Sequence, residues 1–99
     1  MVSIFPASHT MAPAIAQILH AVLADDIAPE QLAQRLQMPD RHTFVALENR
    51  TVVGFVDTFL TSSVSGTLRM ELDLLGVHPA WRRQGVAQQL IRTAIDACL

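Results

Sequence analysis

The stretch Val77-His78-Pro79-Ala80-Trp81-Arg82-Arg83-Gln84-Gly85-Val86-Ala87 carries the clearest chemistry in this chain. An apolar run ends at Val77, a proline corner follows, and two arginines precede a glycine that opens an amphipathic segment. In a strand–turn–helix arrangement the first helical N–H groups lack intrahelical acceptors, and the helix dipole favours negative charge beside them. A glycine there lets an anion approach the backbone with no Cβ in the way. Arg82 and Arg83 add planar, charge-assisted donors suited to phosphate oxygens. Together these residues suit a diphosphate. The G-x-G-x-x-G and P-loop patterns, which bind nucleotides by other backbone turns, do not occur in the sequence.

The elements that must position this turn follow from hydrophobic spacing. Residues 2–5 form a short strand stopped by Pro6. Ser8 or Thr10 is placed to cap a helix in which Met11, Ile15, Ile18, Leu19, Val22 and Leu23 recur at helical spacing, until Asp25-Asp26 breaks the pattern. Pro29-Glu30 starts a shorter helix through Leu32 and Leu36, ended by Met38-Pro39. Two strands, 43–47 and 51–60, flank a tight turn at Glu48-Asn49-Arg50, and Gly54 marks a bulge or a close backbone approach. Residues 61–66 read as a loop. The strand 68–77 alternates, with Leu68, Met70, Leu72 and Leu74 on one face and Arg69, Glu71 and Asp73 on the other. Gly76 is placed to permit a local bulge near its end. Val86, Leu90, Ile91, Ala94, Ile95 and Cys98 give the last helix its apolar stripe. The order is β-α-α-β-β-β-α, an α/β (α+β) class with a mostly antiparallel sheet. No strand is expected after the last helix, so the edge of strand 68–77 is expected to be unfilled and to recruit a second chain.

With these elements in place, the chain resembles the N-terminal part of the GCN5-related N-acetyltransferase (GNAT) family. That family carries Arg/Gln-x-x-Gly-x-Gly/Ala after a strand ending in Val-x-Pro. Here it reads Arg82-Arg83-Gln84-Gly85-Val86-Ala87 after Val77-His78-Pro79. The hairpin 45–55 resembles the family's second and third strands. The resemblance implies a single GNAT-like domain over 1–99 and acetyl-CoA as cosubstrate. It implies that backbone N–H groups from Arg83 through Ala87 hold the pyrophosphate, with Gln84, Gly85 and Val86 inside that loop and Arg82 and Arg83 adding charge. Leu75 and Val77 would offer backbone groups to the pantetheine amides. Glu71 aligns with the glutamate that serves as general base in the family's histone-modifying members, and Asp73 is a second candidate on the same side. Trp81 stands where the family often has an aromatic, and packing over the loop is the role expected of it. Family members continue with a fifth strand, another helix and closing strands, which makes this chain resemble a truncated member. The acceptor would be a small-molecule or peptide amine. The alternative is a non-catalytic, self-associating piece that dimerises through the open strand edge and retains at most residual CoA binding.

Composition narrows the partners. The 99 residues carry a formal charge of −2, which argues against nucleic acid as a partner. All seven basic residues are arginine. Cys98 is the only cysteine, so no internal disulfide forms and a cytoplasmic setting is expected. No apolar run is long enough to span a membrane. His9, His20 and His42 lack metal-ligand spacing and read as surface or satisfied residues. His78 sits at the mouth of the turn, where a solvent-facing side chain is expected. Cys98, on the apolar stripe, reads as core.

Overall fold

The computed structural model describes residues 1–24 and 26–98, with the side chain of Cys98 left outside. Strands β1 (Ser3–Pro6), β2 (Arg41–Glu48), β3 (Thr51–Ser62) and β4 (Leu68–Val77) form one sheet in the order β1-β2-β3-β4. Every neighbouring pair is antiparallel. Helices α1 (Ala12–Leu23) and α2 (Pro29–Leu36) follow β1, and α3 (Val86–Cys98) follows β4. The element order is the expected one. None of these helices is long and apolar enough to cross a membrane.

Two apolar clusters sandwich the sheet. On one face Ile15, Ile18, Leu19 and Leu32 pack on Val45 and Phe55. On the other, Val86, Leu90 and Ala94 pack on Phe44, Ala46, Val53 and Val56. The alternation Phe44/Val45/Ala46 sends consecutive side chains to opposite layers, so the central strands must be apolar on both faces. Leu32 is the one residue of α2 that is buried, because that helix covers only the margin of the sheet.

Several local expectations need correction. Pro6 does not stop β1 but belongs to it, opposite Phe44, with no ladder N–H needed at that position. Neither Ser8 nor Thr10 caps α1. Their hydroxyls bond each other at 2.6 Å, and a 3₁₀ turn at His9–Met11 leads into the helix. Helix α1 ends through Ala24 in the left-handed region, φ 53°, while Asp25 lies outside the described residues. Strand β3 extends to Ser62, so the following loop is 63–67.

The β2–β3 turn is a two-residue hairpin in which Asn49 (φ 49°) and Arg50 (φ 67°) are both left-handed. That is the type I′ geometry, matched to strand twist, in which glycine is the usual second residue. We expect Arg50→Gly to stabilise the protein by about 0.5–1 kcal/mol in denaturant titrations, because it removes a left-handed arginine. Gly54 makes the close backbone approach that was one of its two expected roles, while the bulge falls at the residue before it. Ala46 pairs with Gly54 and Leu47 with Val52, which leaves Val53 as a bulge. A Cβ on Gly54 would meet the Gly76 carbonyl oxygen at 3.2 Å and Leu90 at 3.3 Å.

Strand β4 departs most from its expected pattern. Thr58 pairs with Leu72 and Asp57 with Leu74, so Asp73 is an extra residue in the ladder. The bulge is therefore at Asp73 and not at Gly76, which pairs regularly with Phe55. It also breaks the single apolar face. Met70 packs towards α3, Leu74 towards α1 and α2, and Leu75 and Val77 towards α3 again. One inserted residue reverses which face every later side chain meets.

Candidate functional site

Strand β4 leads into the corner through its own hydrogen bonds. The His78 N–H donates to the Val53 carbonyl at 2.8 Å, which extends the β3–β4 ladder one step past Val77. Opposed residues of an antiparallel pair alternate between hydrogen-bonded and non-hydrogen-bonded positions. His78 therefore fixes the phase: Gly76 and Leu74 bond inward to β3, and the N–H and C=O of Leu75 and Val77 point to the other edge. Among the described residues no strand pairs with that edge. The His78 side chain is exposed, and its Nδ1 accepts the Ala80 N–H at 3.1 Å, capping a short 3₁₀ turn over Pro79–Trp81. Its visible role is to shape the corner.

After this turn the backbone passes through Arg83 at φ 64° and Gly85 at φ 77° before α3 begins. The first helix-type bond of α3 runs from the Gln89 N–H to the Gly85 carbonyl at 3.1 Å. No acceptor among the described residues meets the amides of Gly85, Val86, Ala87 or Gln88. Those four residues line a groove of about 450 Å³ together with Val77, Trp81, Arg82 and Arg83. A Cβ on Gly85 would meet no protein atom within 4 Å. The glycine is thus required by its backbone angle, and the space over it belongs to the groove. Arg82 and Arg83 are exposed and form no ion pair among the described residues, so both guanidinium groups are available to an anion.

The groove gathers most of the residues read from the sequence, namely Val77, Arg82, Arg83, Gly85, Val86 and Ala87, and adds Trp81 and Gln88. Trp81 packs into the α3 cluster, which is the packing role expected of it. Leu75 and Gln84 are not lining residues. The Leu75 side chain packs under α3, leaving only its backbone on the edge, and Gln84 Nε2 turns back to the Ala80 carbonyl at 3.4 Å.

The candidate carboxylates lie further down β4. Glu71 pairs opposite Phe59, is exposed, and has no ion pair or hydrogen bond with its side chain among the described residues. It is six residues before Val77, roughly 20 Å along a strand. Asp73 is not free in the same way. Its Oδ2 accepts from Arg41 Nη1 at 2.7 Å. The same nitrogen donates to Asp57 Oδ2 at 2.6 Å, and Thr43 Oγ1 donates to Asp57 Oδ1 at 2.7 Å. The Arg41 guanidinium lies 5.1 Å from the Phe59 ring centroid. Its pKa is raised above the ordinary value, chiefly by the hydrogen bond to Asp73, and desolvation opposes that rise. Sequence reasoning missed Arg41, Thr43 and Asp57. The available signal was Asp57 itself, one acid within the apolar run 52–60, where a buried carboxylate requires partners.

The profile of the Acetyltransferase (GNAT) family matches residues 12–99. This chain belongs to the GNAT acetyltransferase family. Solved GNAT structures share its architecture. A ribosomal-protein-alanine N-acetyltransferase from Brucella melitensis biovar Abortus 2308 superposes with a TM-score of 0.80 at 25% identity, over 97% of this chain and 70% of that one. An aminoglycoside acetyltransferase from an uncultured soil metagenomic sample, complexed with sisomicin, gives 0.83 at 20% identity, over 96% and 68%. Arabidopsis thaliana NAA60, complexed with a bisubstrate analogue, gives 0.84 at 16% identity, over 98% and 66%. A search of curated proteins returned no match. In this GNAT domain the groove at the α3 N-terminus coincides with the family's Arg/Gln-x-x-Gly-x-Gly/Ala signature, and the open β4 edge leads from that groove towards Glu71.

Proposed function

We propose that this protein transfers an acetyl group from acetyl-CoA to a primary amine. The observation that carries the reading is the run from Gly85 to Gln88, whose four amides have no acceptor among the described residues and which lines an open groove with Arg82 and Arg83. The donor set fits a diphosphate: N–H groups converge at a helix N-terminus, and Arg82 and Arg83 supply the neutralising charge. In this reading the outward N–H and C=O of Val77 and Leu75 bond the amides of an extended pantetheine arm. The cosubstrate supplies an activated thioester carbonyl. Glu71 accepts the proton of the incoming ammonium, directly or through water, and so frees the nitrogen lone pair for attack. A β4 backbone N–H stabilises the developing oxyanion, and its collapse breaks the C–S bond and releases the CoA thiolate, which takes a proton from solvent. Asp73 is a weaker candidate base, because its Oδ2 is committed to Arg41.

The structural neighbours act on aminoglycosides or protein alanine by their names, so small-molecule and peptide amines are both suitable acceptors to test. The second reading, a non-catalytic self-associating piece, has behind it the open β4 edge and its exposed Leu68 and Leu72. Family membership favours acyl transfer.

The test is thiol release from acetyl-CoA in the presence of a primary-amine panel: a polyamine, an aminoglycoside and an alanine-terminated peptide. Release that requires an amine supports the assignment, and an amine-independent background alone refutes it. Glu71→Gln is expected to lower kcat by roughly 10²–10⁴-fold, the usual contribution of a general base. The exposed site of this substitution leaves acetyl-CoA affinity and thermal stability near wild type.

A further inference from the structure

The charged network on the α1 face spans three strands. Arg41 stands on β2, Asp57 on β3 and Asp73 on β4, and one guanidinium nitrogen holds both carboxylates. Asp57 is the anchor. Its residue is 7% exposed, and both of its oxygens are taken, one by Thr43 and one by Arg41. Phe59 supports the guanidinium from below. Arg41 is thereby fixed from two sides before it reaches β4. What it reaches there is the extra residue of the bulge.

That coincidence has a geometric consequence. The bulge at Asp73 sets the phase of everything after it on β4. With the extra residue at 73, Leu74 and Gly76 bond inward, and Leu75 and Val77 turn their backbone groups to the open edge. A slip of one residue would exchange these roles and also swap the side-chain faces. Leu75 would then be driven towards α1, and Gly76, where a Cβ would lie 2.8 Å from Phe55 Cε1, would leave that position.

We propose that Arg41 is a positioning residue for acyl transfer: by clamping Asp73 to the buried Asp57, it locks the β4 bulge and so fixes which backbone groups of β4 face the acyl-CoA arm. Its functional meaning rests on the acetyl-CoA reading above, whereas the lock itself is a property of the free protein. Arg41 touches neither cosubstrate nor acceptor. It acts through Asp73 and the backbone that follows.

The experiment combines amide hydrogen exchange of the free protein with acetyl-CoA titration, for wild type, Arg41→Gln, Arg41→Lys, Arg41→Met and Asp73→Asn. In Arg41→Gln and Asp73→Asn, the amide of Leu74, which bonds inward to β3 beside the bulge, is expected to exchange at least tenfold faster. Amides at the centre of β2, such as Val45, should keep their rates. Acetyl-CoA affinity should fall about tenfold. Arg41→Lys should recover most of both effects, since an ammonium still bridges two carboxylates, whereas the neutral Arg41→Met, which fills similar space, should recover neither. Asp73 is one-third exposed at its side chain, so Asp73→Asn remains folded where Arg41→Gln fails. Slow rotation of the Arg41 guanidinium in wild-type NMR, against free rotation of the exposed Arg35, tests the clamp with no substitution at all. Unchanged bulge exchange in folded Asp73→Asn, or an Arg41 that rotates as freely as Arg35, overturns the proposal even when wild type binds acetyl-CoA. If wild type binds no acetyl-CoA while bulge exchange responds as stated, the lock stands and its role in acyl transfer is refuted along with the reading it rests on.

Discussion

Gly85→Val is expected to weaken acetyl-CoA binding by roughly 100-fold or more while costing the fold only about 1–2 kcal/mol, the price of a left-handed non-glycine residue. The two effects separate because of where the new side chain goes. At φ 77° the backbone is strained for any L-residue, which sets the stability cost. The added Cβ meets no protein atom within 4 Å, so there is no packing clash to add to it. The branched side chain instead stands in the groove over the amides of Val86 to Gln88. Losing one or two charge-assisted N–H bonds, each worth about 1.5–3 kcal/mol, accounts for the affinity loss. Gly66→Val is the control. Gly66 has φ 86° and equally open surroundings in the 63–67 loop. It should show the same stability cost in denaturant titration and no change in a calorimetric acetyl-CoA titration.

Gly76→Ala should be the more damaging change to the fold, by about 2–3 kcal/mol, which is typical of overpacking a dense core. Its backbone angle is ordinary, so the cost is purely one of space. A Cβ at this position would lie 2.8 Å from Phe55 Cε1 and 3.3 Å from Ile18 Cγ2. Phe55 is 1% exposed beneath α1 and cannot swing away. A loss of that size is a large share of the roughly 5–15 kcal/mol that holds a small domain together. Phe55→Leu removes the ring edge that causes the clash. In that background Gly76→Ala should cost measurably less than in wild type, and a double-mutant cycle read by denaturant unfolding checks the coupling. Additive losses would mean that Phe55 is not the obstacle.

The parts of this fold that sequence displays are those governed by local rules. Helical spacing from Met11 to Leu23, the proline start at Pro29 and the Asn49-Arg50 turn each depend on residues within a few positions. The phosphate-loop segment is legible for the same reason: corner, arginines, glycine and helix start are contiguous. What escaped was set by pairing between distant strands. The expected single apolar face of β4 fails at Asp73, and the hint was present in the adjacent Leu74-Leu75, which breaks strict alternation. Gly76 resembles a bulge residue until Phe55, 21 positions earlier in the chain, is placed against it. Asp73 resembles a free carboxylate until Arg41 arrives from β2. Glu71, by contrast, is exposed and has no side-chain partner among the described residues, as its alternating position suggests.

The central claim is that the amides at the α3 N-terminus bind the diphosphate of acetyl-CoA. Backbone amide NMR of wild type during acetyl-CoA titration tests it most directly. The largest shifts are expected at Gly85, Val86, Ala87 and Gln88, with smaller ones along Leu75 and Val77 and none in a second groove, lined by Ala14, Gln17 and Ala21 of α1 with Arg50 and Thr51. Saturating shifts confined to that other groove, or four unmoved amides at millimolar ligand, would contradict the account.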